Sequence, residues 1–71
     1  MMTYGEVLDY FLAMNNMNKA ELARRVGISK GQVSDLVSGR TREPTLSRAK
    51  AIADALGVTI QDMVDMMESL D

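Results

Sequence analysis

Two short helical patterns occupy residues 18–39, which read NKAELARRVGISKGQVSDLVSG. Each pattern carries three apolar residues on one face at the spacing of an α-helix. These residues are Leu22, Ala23 and Val26 in the first pattern and Val33, Leu36 and Val37 in the second. Gly27 lies between them and ends the first helix, because glycine adopts a positive φ without steric cost. The two apolar faces are therefore expected to bury each other, together with a third element.

Capping signals mark the start of both helices. Asn18 is followed three residues later by Glu21, and Ser29 is followed in the same way by Gln32. Each helix is therefore expected to begin with a capping box, in which two side chains satisfy two free backbone N–H groups. The caps, the short turn and the apolar faces together predict a helix-turn-helix at residues 19–37, whose second helix lies in the major groove of DNA.

The rest of the chain predicts three further helices and no strands, so the expected fold class is all-α, with five helices in one compact domain spanning residues 1–71. The predicted helices cover residues 3–14, 19–26, 30–37, 46–56 and 60–69. Threonine is the predicted cap of three of them, at Thr3, Thr45 and Thr59. In the fourth helix, the residues expected to face inward are Leu46, Ala49, Ile52, Ala53 and Leu56.

The chain of 71 residues contains no cysteine and no histidine. This composition excludes disulfides, ordinary zinc sites, thiol chemistry and imidazole catalysis. Carboxylates are scattered along helix surfaces and no phosphate-cradling glycine loop is present, so an enzyme is not expected. The sequence also predicts no cofactor, no metal and no small-molecule ligand. No apolar run is long enough to cross a membrane and no secretion signal opens the chain, so we expect a cytoplasmic location.

Charge is distributed unevenly, although the net charge is only −2. All 8 lysine and arginine residues lie between positions 19 and 50, where only Glu21, Asp35 and Glu43 oppose them. Both flanks of this segment contain acidic residues and no basic ones. Because the local field at a contact surface matters more than the net charge, the basic segment favours binding to nucleic acid.

The predicted fifth helix has a wider apolar face than one core contact needs. Unbranched methionine side chains suit adaptable interfaces between proteins. We therefore expect a homodimer whose interface includes Met63, Met66, Met67 and Leu70. The alternative is that these residues only cover the core of a small domain.

Several stretches and their spacing resemble the lambda-repressor-like, or Cro/Xre-type, helix-turn-helix family. They are residues 17–23 (MNKAELA), 26–29 (VGIS), Val33-Ser34, Leu36, Gly39, 44–46 (PTL), 52–53 (IA) and 55–58 (ALGV). The resemblance implies a five-helix domain that binds double-stranded operator DNA, usually as a two-fold dimer, and regulates transcription; the expected role is that of a repressor.

The resemblance also assigns roles to individual positions. The residues expected to read bases are Lys30, Gly31, Gln32, Ser34 and Asp35. The residues expected to contact phosphates are Asn18, Lys19, Ser29, Ser38, Arg40, Thr41, Arg42 and Thr45. Asp35 stands out among them, because phosphates repel a carboxylate unless it accepts a hydrogen bond from cytosine N4.

A second interpretation keeps this fold but makes the partner a protein, as in an antitoxin, an anti-repressor or an inhibitor. The acidic flanks and Asp35 favour it, whereas the basic loop at residues 40–44 disfavours it. The effect of salt concentration distinguishes the two interpretations. DNA binding weakens steeply as salt rises, because counterions are released at each phosphate contact.

Overall fold

The computed structural model describes residues 1–69, and five α-helices lie within them. Their bounds are α1 Tyr4–Met14, α2 Lys19–Val26, α3 Lys30–Ser38, α4 Leu46–Leu56 and α5 Ile60–Glu68. The predicted all-α fold is confirmed. The predicted helix ends differ from the observed ones by about one residue, which is the usual uncertainty of a helix end.

A polar side chain caps the N-terminus of each described helix, and its oxygen accepts a hydrogen bond from the third helical N–H. The caps are Thr3, Asn18, Ser29, Thr45 and Thr59. The capping box at Ser29 is confirmed, since the Ser29 N–H donates to Gln32 Oε1 at 2.9 Å. The box at Asn18 is only half formed. Glu21 pairs with Arg25 instead, and its Oε2 lies 2.6 Å from a guanidinium nitrogen. A charged donor one turn later in the helix competes well with the Asn18 N–H for this carboxylate.

Helix α3 packs against both α1 and α2, while α4 packs against α2 and α5, and α5 also packs against α1. Every described helix contributes to one cluster of buried side chains. Its members are Tyr4, Val7, Leu8, Leu12, Leu22, Ala23, Val33, Leu36, Ile52, Ala53, Leu56 and Met63. Val33 is fully buried and Leu36 is 4% exposed, so the opposite face of α3 points away from the core.

Leu46 does not face inward as the sequence pattern predicts, since its side chain is 77% exposed. The buried residues of α4 are Ile52, Ala53 and Leu56, all in the second half of the helix. The first turn of α4 extends beyond the core, so apolar periodicity continues there without a surface to pack against.

Helix α1 approaches the end of α3 very closely at Gly5. A Cβ atom added to Gly5 would overlap the backbone oxygens of Leu36 and Val37, with the Val37 oxygen only 2.5 Å away. Glycine is therefore required at this position by the distance between two backbones, and the sequence pattern alone does not reveal this contact.

Tyr4 carries a buried hydroxyl that has no hydrogen-bond partner among the described residues. The residue is 7% exposed, and this burial raises the pKa of Tyr4 from 10.0 to about 12. The ring contributes apolar area to the core, whereas the hydroxyl loses its bonds to water without replacing them.

We expect Gly5→Ala to lower the free energy of unfolding by about 1–3 kcal/mol, because the new methyl group meets backbone atoms that cannot rotate away. Gly31→Ala is the matched control. A Cβ at Gly31 meets only Ser29 Oγ at 3.7 Å. Alanine in a helix is more stable than glycine by roughly 0.5–1 kcal/mol. Urea unfolding measures both variants, and equal effects would contradict the close contact at Gly5.

We expect Tyr4→Phe to raise the free energy of unfolding by up to about 1–3 kcal/mol, since it removes an unsatisfied hydroxyl. The gain should grow at high pH. The folded-state pKa of about 12 lies above the ordinary value of 10.0, so the unfolded chain loses this proton first. The unmodified protein therefore loses stability as pH rises from 10 towards 12. Thermal unfolding of both proteins across this range tests the prediction, which parallel pH curves would contradict.

Candidate nucleic-acid interface

The outer face of α3 lies between two surface grooves. The first, here called the lysine groove, has a volume of about 700 Å³ and is lined by Asp9, Asn18, Lys19, Lys30 and Ser34 together with apolar residues of α1 and α2. The second, here called the loop groove, has a volume of about 240 Å³ and is lined by Gln32, Asp35, Thr41, Glu43, Thr45 and Arg48, together with Leu36 and Pro44. Side chains of α3 therefore enter both grooves from opposite edges of the same helix.

Two helices start at the lysine groove. Lys19 is the first residue of α2, and Lys30 is the first residue of α3. The N-terminus of a helix presents free N–H groups and a partial positive charge, and here each has a lysine beside it. This combination suits a phosphate group. Asp9 lies in the same groove and is the one described acidic residue that lines it.

The loop groove is shaped by a turn that folds back onto α3. The carbonyl oxygen of Asp35 accepts hydrogen bonds from the Thr41 N–H at 3.0 Å and from Ser38 Oγ at 3.3 Å. These bonds hold residues 38–41 close to the helix. As a result, Arg40 Nε lies 3.7 Å from Asp35 Oδ1. Both side chains are well exposed, so this ion pair contributes little to stability.

Some basic side chains already form an ion pair with a carboxylate, and others do not. Arg25, Arg40 and Lys50 each pair with an acidic residue. The basic side chains with no carboxylate within 4.0 Å in the described part of the chain are Lys19, Arg24, Lys30, Arg42 and Arg48. Of these, Lys19, Lys30 and Arg48 line the two grooves. The positive charge beside α3 is therefore available to an external anion.

The structure brings most of the predicted DNA-contacting residues together. Those that line the two grooves are Asn18, Lys19, Lys30, Gln32, Ser34, Asp35, Thr41 and Thr45. Gly31, Ser38 and Arg40 are exposed on α3 or in the turn that follows it, and Ser29 is exposed as the cap of α3. Arg42 lines a third depression with Tyr4 and Met67, and this depression shares Glu43 with the loop groove. Contact of these residues with DNA stays a prediction.

Three charged residues that line the grooves are not among the predicted site residues, namely Asp9, Glu43 and Arg48. The sequence does contain a signal for Arg48, because this residue lies in the first turn of the predicted fourth helix, where the helix macrodipole disfavours a cation. An arginine in that place suggests an anion nearby. Asp9 and Glu43 carry no comparable signal, since acidic residues are common on exposed helix and loop surfaces.

The methionines of α5 are partly or fully buried within the domain, which limits the surface that they offer to a partner protein. Met63 is 2% exposed and belongs to the core cluster. Met66 and Met67 are half-buried and also pack against this cluster. Leu70 lies outside the described residues. At the surface of α5, a second protomer would therefore contact Met66 and Met67 rather than Met63.

Within residues 1–69, no group of acidic side chains is close enough together to hold a metal ion. None of the helices described combines the length and apolar character needed to span a lipid bilayer.

Comparison with known proteins identifies the family. Residues 7–69 match the Cro/C1-type HTH DNA-binding domain. The chain belongs to this helix-turn-helix family. Its members are DNA-binding transcriptional regulators rather than enzymes, and the family implies binding to double-stranded DNA.

Individual relatives agree with this assignment. The chain is 32% identical over 56 residues to an uncharacterized HTH-type transcriptional regulator, MJ0272, of Methanocaldococcus jannaschii, covering 79% of this chain and 83% of the relative. The structure of this chain is similar to that of the clp gene regulator ClgR from C. glutamicum, with a TM-score of 0.83 and 28% identity. The match covers 96% of this chain and 88% of that one. The N-terminal DNA binding domain of SinR from Bacillus subtilis shares the fold, with a TM-score of 0.80, 18% identity and coverage of 87% and 90%.

Proposed function

We propose that this chain is a sequence-specific regulator of transcription, acting as a repressor that binds a two-fold symmetric DNA operator as a homodimer. The observation that supports this most strongly is the placement of α3, whose polar outer face lies between two grooves that contain unpaired cations. A duplex needs this arrangement, because a reading helix in the major groove is flanked on both sides by phosphates. Residues 1–71 would form one domain that acts in the cytoplasm, without a cofactor.

Base reading is assigned to the outer face of α3. Lys30 has three donors at the start of the helix and suits guanine O6 and N7. Gln32 Oε1 accepts the Ser29 N–H, so the amide NH2 of Gln32 is the group left to donate to a base acceptor such as N7. Ser34 is half-buried in the lysine groove and has a hydroxyl that both donates and accepts. Gly31 is exposed and has no side chain, so it would let the helix backbone approach the bases closely.

Phosphate binding is assigned to the rims of the grooves. Lys19 and the start of α2 would hold a phosphate at the lysine groove, and Thr45 with the start of α4 would hold another at the loop groove. Arg40 and Arg42 follow α3 in an exposed turn and would contact the backbone there. These contacts position the protein without reading sequence, and most of its salt dependence would come from them.

Homodimer formation is proposed through the exposed parts of Met66 and Met67 on α5. A domain of this size has a small core, so burial against a second copy would add stability. Two α3 helices related by a two-fold axis would enter successive major grooves, with half-sites about 34 Å apart.

A protein partner is the second candidate function. Asp62, Asp65 and Glu68 are exposed on α5, which packs against α1 and α4 and lines neither of the two grooves. A basic partner protein could bind there, and such binding would not require the residues that line the grooves.

We expect Lys19→Ala to weaken duplex binding for all sequences and to reduce the slope of log affinity against log salt concentration by about 1, because one phosphate contact is lost. Lys50→Ala is the matched control. It removes the same charge from α4, where Lys50 Nζ pairs with Asp54 at 2.9 Å. Fluorescence anisotropy at several salt concentrations measures both variants, and identical slopes for the two would contradict the assigned phosphate site.

We expect selection from random duplexes to yield a two-fold symmetric consensus with half-sites about 34 Å apart. Sedimentation at micromolar concentrations should show a dimer. An asymmetric consensus together with a monomer in sedimentation would contradict the proposed dimer, and failure to select any duplex would contradict DNA binding itself.

A further inference from the structure

We propose that Asp35 selects cytosine at one position of each half-site, an inference that rests on the DNA-binding function proposed above. Asp35 is the one acidic residue of α3. Its side chain is 44% exposed at the edge of the loop groove. Gly31, one turn earlier on the same helix edge, has no side chain that would shield the carboxylate from a duplex.

The carboxylate of Asp35 is open to a new hydrogen bond. Its closest charged neighbour is Arg40, whose Nε lies 3.7 Å from Oδ1, which is beyond hydrogen-bond distance. No described residue donates a hydrogen bond to either carboxylate oxygen. The bonds made by Asp35 within residues 1–69 use its backbone instead, where the carbonyl holds Thr41 and Ser38.

Arg40 acts here as a positioning residue. The bonds from Thr41 and Ser38 to the Asp35 carbonyl keep the turn against α3, and this places the guanidinium beside the carboxylate. A positive charge on that side offsets part of the repulsion between Asp35 and the DNA phosphates. The carboxylate is then tolerated in the groove, provided that a base supplies a donor.

The chemistry of the major groove restricts which base meets this condition. An ionised carboxylate only accepts hydrogen bonds. Guanine presents O6 and N7 and thymine presents O4, all of which are acceptors that repel a carboxylate. Adenine has an N6 amino group, but its N7 acceptor lies beside it. Cytosine N4 has an acceptor on one side only, the O6 of the paired guanine, whereas adenine N6 lies between its own N7 and the O4 of the paired thymine. Cytosine is therefore the base that Asp35 selects.

The test begins with duplexes selected by the unmodified protein, each base pair of which is then replaced in turn. We expect one position per half-site to prefer cytosine by about five- to 150-fold, the usual range for one side-chain contact to a base. Asp35→Ala should remove this preference. Asp35→Asn should move it towards adenine, because an amide side chain accepts from N6 and donates to N7.

Glu43→Gln is the matched control. Glu43 lines the same loop groove but lies in the turn before α4, so this variant removes an equal charge away from the reading face. It should raise affinity for all duplexes alike and leave every base preference unchanged. Arg40→Ala should weaken binding of all duplexes while the cytosine preference persists in reduced form. Circular dichroism confirms that each variant is folded.

Two kinds of failure are distinguishable. Absence of salt-sensitive duplex binding by the unmodified protein would contradict the proposed function as a whole. Duplex binding in which Asp35→Ala keeps every base preference and only gains affinity would overturn the assignment of Asp35 alone, since the carboxylate would then act by repulsion. A selected consensus without a fixed cytosine would overturn it as well.

Discussion

Burial of Val33 and Leu36 is the constraint on which the candidate site depends. These two side chains hold α3 against α1 and α2, and the rotation of the helix about its axis is thereby set. Once that rotation is set, Lys30 and Ser34 must face one groove and Asp35 the other. The polar residues of α3 are therefore positioned by apolar contacts on its opposite side.

Hydrogen bonds to the backbone hold the two ends of α3 in place, which the packing of apolar side chains does not do. Ser29 and Gln32 satisfy each other's N–H groups at the start of α3, so the first turn, with Lys30, is held in place. At the other end, the Asp35 carbonyl accepts two hydrogen bonds and returns the chain towards the helix. Gly39 has a φ of 87° in this return, a value that glycine reaches without strain.

Local signals in the sequence are enough to predict the fold, because caps, glycine stops and apolar periodicity act within a few residues. The residues of the candidate site are assigned from the family resemblance instead, and most of them line the two grooves. The number and order of the described helices and the cap at Ser29 follow from such signals. Gly5, Leu46 and Glu21 could not be predicted in the same way. The role of Gly5 depends on how near α3 lies, the exposure of Leu46 on where the core ends, and the partner of Glu21 on competition between two donors. Tertiary distances decide the first two, whereas competition within one turn of α2 decides the third.

The uneven distribution of charge over the surface has a kinetic consequence. Unpaired cations border α3, whereas α5 carries exposed acidic residues and packs on α1 and α4. Charge is therefore unevenly distributed over the surface despite the small net charge. In the field of a polyanion this uneven distribution turns the cationic surface forward during diffusion, so that a larger fraction of collisions begin in the productive orientation.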